Sequence, residues 1–98
     1  MEIRREASGN RGAFFVEQDG KRVAEQTFSM GPDGKVLIID HTEVDESLRG
    51  QGMARKLTEA TVLWARGAGV KIVPVCPFAK VVFEREPSFR DVLLHQKG

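Results

Sequence analysis

Arg49-Gly50-Gln51-Gly52-Met53-Ala54 is the stretch whose reading decides the fold. It stands between the apolar run Val36-Leu37-Ile38-Ile39 and a segment of helical periodicity that begins at Met53. A glycine-bearing turn between strand and helix presents backbone N–H groups to an anion. Glycine lets the main chain approach phosphate oxygens, and the helix N-terminus adds unpaired donors and about half a positive elementary charge. A phosphate-bearing ligand is therefore expected at this turn. The common phosphate loops do not fit. The chain has no G-x-x-x-x-G-K-[ST], and Gly50 with Gly52 lacks the third glycine and the later acidic residue of a dinucleotide-binding fingerprint. What remains is R-x-x-G-x-A.

Outward from the hexapeptide, the C-terminal side predicts a helix over residues 53–68. Met53, Leu57, Ala60 and Trp64 form one stripe, Arg55, Lys56, Glu59 and Arg66 lie off it, and Gly67 with Gly69 terminate it. Lys71 to Cys76 then returns as a short strand, with Pro74 marking a side that is not fully paired. A strand-helix-strand crossover makes the two strands parallel. Pro77 opens a second helix that runs to Pro87, and residues 88–95 add a further helical turn or two.

On the N-terminal side, Lys35 to Val44 reads as the central strand. Its apolar residues fall on both faces and predict cover on both sides, and it turns polar at Asp40-His41-Thr42-Glu43 just before the glycine turn. Gly31-Pro32-Asp33-Gly34 is a turn that pairs this strand with Lys21–Met30, in which Ala24, Phe28 and Met30 share a face with Gln26 between them. Asp19-Gly20 joins that strand to Ala13–Val16 as a hairpin. Residues 3–8 predict a solvated edge strand.

The length of 98 residues suits one domain, 1–98, with a single core, and excludes a two-domain enzyme. Fifteen basic and fourteen acidic residues leave a charge of +1, and the basic residues are scattered, which argues against nucleic acid as a partner. No apolar run approaches the ~20 residues needed to span a bilayer, and Glu2-Ile3-Arg4-Arg5-Glu6 leads into no apolar signal segment. Cys76 is the sole cysteine, so an internal disulfide is impossible and a reducing compartment is the natural assumption. The expectation is a soluble cytoplasmic protein, monomer or weak dimer, without membrane partner or structural zinc.

The hexapeptide resembles the pyrophosphate-binding signature [QR]-x-x-G-x-[GA] of the GNAT superfamily of N-acetyltransferases. Further motifs resemble its small single-domain branch: Asp40-His41-Thr42-Glu43-Val44, Leu48-Arg49-Gly50-Gln51-Gly52, Cys76-Pro77-Phe78 and Pro87-Ser88-Phe89, in order along the chain. The resemblance implies an α/β (α+β) fold, a mixed and mainly antiparallel sheet with a parallel central pair and helices packed on it. It also implies acetyl-CoA as co-substrate, no metal, and an amine as acceptor. One departure matters: the chain contains no tyrosine, the residue that in many larger GNAT enzymes protonates the departing thiolate.

In the reaction so implied, a neutral amine attacks the thioester, a backbone N–H of the central strand holds the oxyanion, and a base takes the amine's proton. His41 and Glu43 are the candidate catalytic pair, sharing a face if no bulge separates them; the alternatives are a histidine that only ties strand ends together and a solvated carboxylate. Cys76, before a helix start that lowers thiol pKa values, is a candidate acid or nucleophile, or simply a small core residue. Val44, Arg49, Gly50, Gln51, Gly52, Met53, Ala54, Arg55, Cys76, Phe78 and Phe83 are the candidate cofactor contacts, with Lys56 as a further cation. Arg49, Arg55 and Lys56 are equally readable as the polar face of the helix, and Phe78 and Phe83 as core. Two function classes stay open: an acetyl-CoA-dependent N-acetyltransferase, and a module that binds CoA or acyl-CoA without turning it over.

Overall fold

Asp19 and Gly20 take φ of 53° and 75° in the computed structural model of the protein, which describes residues 2–94. These positive angles make the two-residue turn that joins β2 (Arg11–Gln18) to β3 (Lys21–Met30), with Gln18 opposite Lys21. β2 is longer than its four apolar residues predicted, because ladder hydrogen bonds belong to the backbone and run on through Arg11, Glu17 and Gln18. β1 (Arg4–Ser8) pairs antiparallel with β2 and is exposed along its length, the solvated edge expected. Gly34, at φ 71°, donates to the Gly31 carbonyl at 3.0 Å and turns the chain into β4 (Val36–Val44), antiparallel to β3.

From β4 the chain passes through the glycine turn into α1 (Met53–Ala68) and returns as β5 (Lys71–Pro74), parallel to β4 with Val36–Ile39 opposite Lys71–Pro74. The order β1-β2-β3-β4-β5 is the mixed, mainly antiparallel sheet that the sequence predicts. The parallel pair closes one end of that order. Among the described residues β5 meets only an isolated bridge from Leu93 on its far side, which accommodates Pro74. α2 (Pro77–Arg85) and a 3-10 turn over Pro87–Val92 complete the described chain; the expected final turn agrees with the latter, and His95 lies outside the described residues.

Several expectations are corrected in detail. Gly67 lies inside α1, and Gly69 alone ends it, at φ 70° with its N–H turned back to the Ala65 and Arg66 carbonyls. The last strand stops at Pro74, because the Val75 and Cys76 N–H groups both turn onto the Ile39 carbonyl, at 3.0 and 3.2 Å. Cys76 therefore caps α2 instead of ending the strand. The buried face of α1 is Met53, Leu57, Thr58, Thr61, Val62 and Ala65, while Ala60 and Trp64 sit at its margin. Threonines hold central positions there because their hydroxyls are bonded inside the protein. Cover on the sheet is also one-sided. Leu37 and Ile39 are fully buried in one cluster with Leu57, Ala79 and Phe83 from the helices, whereas Val36 and Ile38 face away and are half-buried beside their in-sheet neighbours Ser29 and Val73.

Candidate active site

The turn between β4 and α1 is built from Asp45 onward. Asp45 Oδ1 accepts from the backbone N–H and the hydroxyl of Ser47, both at 2.9 Å, and so caps a 3-10 turn over Glu46–Leu48 that the sequence reading missed. Leu48 plugs this turn into the core. Gly50 and Gly52 follow at φ 81° and 71°, angles that favour glycine, and a Cβ at either would meet no protein atom within 4 Å. Gly52 is the N-cap of α1 and no side chain caps the helix. The first helical bond is from Lys56 N–H to the Gly52 carbonyl at 3.1 Å, which leaves the earlier N–H groups of the turn as donors facing open space. Arg49 Nε donates to the Val44 carbonyl at 3.4 Å and Gln51 Nε2 to the Ser47 carbonyl at 3.3 Å, fixing both ends of the loop.

The bonds from Ser47, its backbone first, hold the Asp45 carboxyl below its ordinary pKa of 3.8. A depressed folded-state pKa contributes stability that is complete above the unfolded value and is lost as pH falls through the folded one. Asp45→Ala is accordingly expected to melt below wild type at pH 7, with the gap closing as pH drops below 3.8. Thermal unfolding followed by circular dichroism across that range checks it; a gap that persists at low pH contradicts the capping role.

β4 supplies the second wall. Its pairing with β5 ends at Ile39, so residues 40–44 pair, among the described residues, with β3 alone and present a backbone edge to which only Arg49 Nε, at the Val44 carbonyl, is bonded. Thr27 lies opposite His41 and Phe28 opposite Ile39, so Asp40 is the extra residue of a bulge. The bulge precedes His41. His41 and Glu43 thus point the same way, with Nε2 and Oε1 3.0 Å apart and side chains 60% and 70% exposed. Between this edge, the glycine turn and the start of α2 lies a cleft of about 840 Å³.

Of the predicted residues, His41, Glu43, Val44, Arg49, Gly50, Gly52, Met53, Ala54 and the 61% exposed Phe78 line the cleft. The others do not. Arg55 is engaged by Glu86 at 2.5 Å and lies over the Phe89 ring at 5.5 Å; the Glu86 bond raises its pKa and ties α1 to the segment after α2. Gln51 is held at the loop's back, Lys56 is exposed on the helix, and Phe83 is buried in the core. Cys76 is 2% exposed beneath the cleft, its thiol donating to Thr42 Oγ1 at 3.2 Å. The sequence reading did not single out Arg22, Val23, Ala24, Glu25, Thr42, Asp45 and Leu48 as wall residues. The register places two of them: Ala24 sits opposite Val44 and Glu25 opposite Glu43, and the Asp45 N–H donates to the Val23 carbonyl at 2.7 Å, so the start of β3 lies at the free end of β4. The described residues contain no cluster of three or more His, Cys, Asp or Glu side chains able to hold a metal ion.

The arrangement joins backbone anion donors at one end of a cleft to an exposed imidazole–carboxylate pair farther along the strand. Comparison with known proteins agrees in fold. The chain is similar to a GCN5-like N-acetyltransferase candidate from Staphylococcus aureus at 34% identity, over 96% of this chain and 90% of that one, with TM-score 0.69. A ribosomal-protein-alanine N-acetyltransferase from Brucella melitensis shares the fold at 21% identity, over 93% and 67%, with TM-score 0.62. An aminoglycoside N-acetyltransferase in complex with CoA shares it at 18% identity, over 93% and 78%, with TM-score 0.55. A family model described as GCN5-related N-acetyl-transferase matches residues 13–92, most of the chain, and the chain therefore belongs to the GCN5-related N-acetyltransferase family.

Proposed function

We propose that the protein moves an acetyl group from acetyl-CoA to an amine by direct attack in a ternary complex. The observation that carries this reading is the continuity of the cleft. It runs from the uncapped glycine turn along the unpaired edge of β4 to His41 and Glu43. A pyrophosphate fits the N–H groups of residues 50–54 with Arg49 beside it, and an amide-bearing pantetheine arm fits the free edge of β4 between Val44 and Phe78. That the aminoglycoside enzyme of the same fold is found with CoA supports the assignment. Arg55 and Phe83 fall outside this pose for the reasons given above, and Gln51 contributes through its backbone.

His41, oriented by Glu43, takes the proton of the attacking amine, and a backbone N–H of β4 receives the oxyanion. The acceptor is a small amine, a polyamine or an exposed lysine, since the pair lies on an open rim. The protein works in the cytoplasm as a monomer or weak dimer, in keeping with its lone cysteine. Among the described residues no helix is long and apolar enough to cross a membrane.

CoA at ~100 times its dissociation constant is expected to add about 2.7 kcal/mol of stability, a melting shift on the order of 10 °C for a domain this size. Calorimetric titration and thermal unfolding with CoA and acetyl-CoA measure it. No heat and no shift at millimolar CoA would overturn the reading.

A further inference from the structure

Four polar side chains sit in the middle of the core, each at most 3% exposed: Gln26, Thr42, Thr58 and Thr61. They form one network. Gln26 Nε2 donates to Thr58 Oγ1 at 2.9 Å and to Thr42 Oγ1 at 3.2 Å, and Gln26 Oε1 accepts from Thr61 at 2.6 Å. The amide orientation follows from its neighbours. Thr58 spends its single hydrogen on the Ala54 carbonyl at 2.8 Å, so toward Gln26 it only accepts and needs an N–H there. The Cys76 thiol donates to the same Thr42 oxygen at 3.2 Å. Thr42 Oγ1 thus lies between an amide donor and a thiol, and among the described residues the Cys76 sulfur is the one group its own hydrogen could meet. Thr42 is also a wall residue of the cleft, on the free edge of β4 next to His41.

A buried polar network in place of well-packed apolar side chains is not an economical way to stabilise a core. Its product here is a hydroxyl fixed at the cleft wall with a thiol directly behind it. We propose that Thr42 is the proton donor to the departing thiolate, resupplied by Cys76, with Gln26 as the positioning residue that fixes the direction of transfer. This rests on the acetyltransferase reading above and fills the role for which the chain has no tyrosine. When the C–S bond of the tetrahedral adduct breaks, its electron pair goes to the CoA sulfur, which takes the Thr42 proton. The Thr42 oxygen takes the Cys76 proton, leaving a thiolate at the N-cap of α2, where the helix terminus favours negative charge. After CoA leaves, that thiolate regains a proton from cleft water back through the Thr42 hydroxyl, and His41 gives up to solvent the one it took from the amine. No acetyl-cysteine forms.

Thr42→Val keeps the shape and removes the hydroxyl. Because a thiolate is already a competent leaving group, the expected loss is about tenfold in turnover, with affinity for acetyl-CoA within about twofold. Thr42→Ser restores most of it. Cys76→Ala falls by a similar factor, and the double variant Thr42→Val/Cys76→Ala is no slower than either single one, as for groups acting as a unit. The readout that mere packing would not move is the solvent deuterium isotope effect on turnover: it exceeds one in wild type and shrinks toward one in Thr42→Val and in Cys76→Ala. Intact-protein mass spectrometry with acetyl-CoA and no amine shows no added acetyl group. Full turnover in Thr42→Val, no rescue by serine, multiplying losses in the double variant, or an acetyl adduct that forms and decays at the catalytic rate each overturns the relay while CoA binding and wild-type turnover stand. Wild type that binds no CoA overturns the parent reading itself.

Discussion

Gly52→Val is expected to abolish CoA binding while leaving the protein folded. Gly52 holds φ at 71°, and a Cβ there would meet no protein atom within 4 Å, so the protein itself has room for a side chain. That room is the open space of the cleft beside the uncapped start of α1, where the proposed pose brings a pyrophosphate within hydrogen-bond reach of the backbone. Two methyl groups prevent the approach. Valine at positive φ also costs about 1–3 kcal/mol, tolerable for a domain with a total stability of about 5–15 kcal/mol. Gly34→Val is the matched control, since Gly34 has the same φ of 71° and the same empty surroundings but lies outside the cleft. It should lower the melting temperature comparably and keep CoA binding. Arg49→Ala should weaken binding only about tenfold, because its side chain is exposed and water screens its charge. Titration calorimetry on the three variants decides. CoA binding by Gly52→Val at wild-type affinity would remove the backbone of the loop as the anchor.

The second large effect is on turnover alone. His41→Ala is expected to slow acetyl transfer about a hundredfold at saturating acetyl-CoA, within the 10²–10⁴ that a positioned general base contributes. Its side chain is 60% exposed, so truncation opens no cavity, and stability should change by no more than about 0.5 kcal/mol. CoA affinity should be unchanged, because His41 lies on the strand and not on the glycine turn. Glu43→Gln should cost less, since it alters only the orientation and charge around an imidazole that is still present. Steady-state release of CoA measures both. An unaltered rate in His41→Ala would reduce the pair to a surface contact between two exposed side chains.

What was legible in the sequence is what local chemistry dictates. Gly52 and Gly69 bound α1 because each supplies the left-handed angle at a helix end, and Asp19-Gly20 closes its hairpin for the same reason. The parallel return of β5 followed from the crossover through a helix. What stayed hidden depends on pairing and on burial. A one-residue bulge at Asp40 leaves no mark in composition, yet it sets which side chains of β4 face the cleft and which face the core. Thr58 and Thr61 lie outside the stripe of Met53, Leu57, Ala60 and Trp64 that periodicity picks out, and only the position of Gln26 across the interface gives their buried hydroxyls a partner on the sheet. The 3-10 turn capped by Asp45 is too short to show periodicity. Arg55 was legible as a cation near a phosphate turn, but its partner Glu86 is 31 residues away and invisible locally. Cys76 was readable as a reactive thiol at a helix start. Its burial against Thr42 is what places another side chain between it and the cleft.

The central claim is that this cleft transfers acetyl groups and does not merely hold CoA. The measurement that bears on it most directly is release of free CoA thiol from acetyl-CoA, followed with a thiol reagent against a panel of polyamines, small amines and lysine peptides. The account predicts release that requires an amine, saturates with it, and is matched by acetylated product in the mass spectrum. Tight binding of acetyl-CoA with no amine-dependent release across the panel would contradict it, and would make the protein a CoA-binding module built on an acetyltransferase fold.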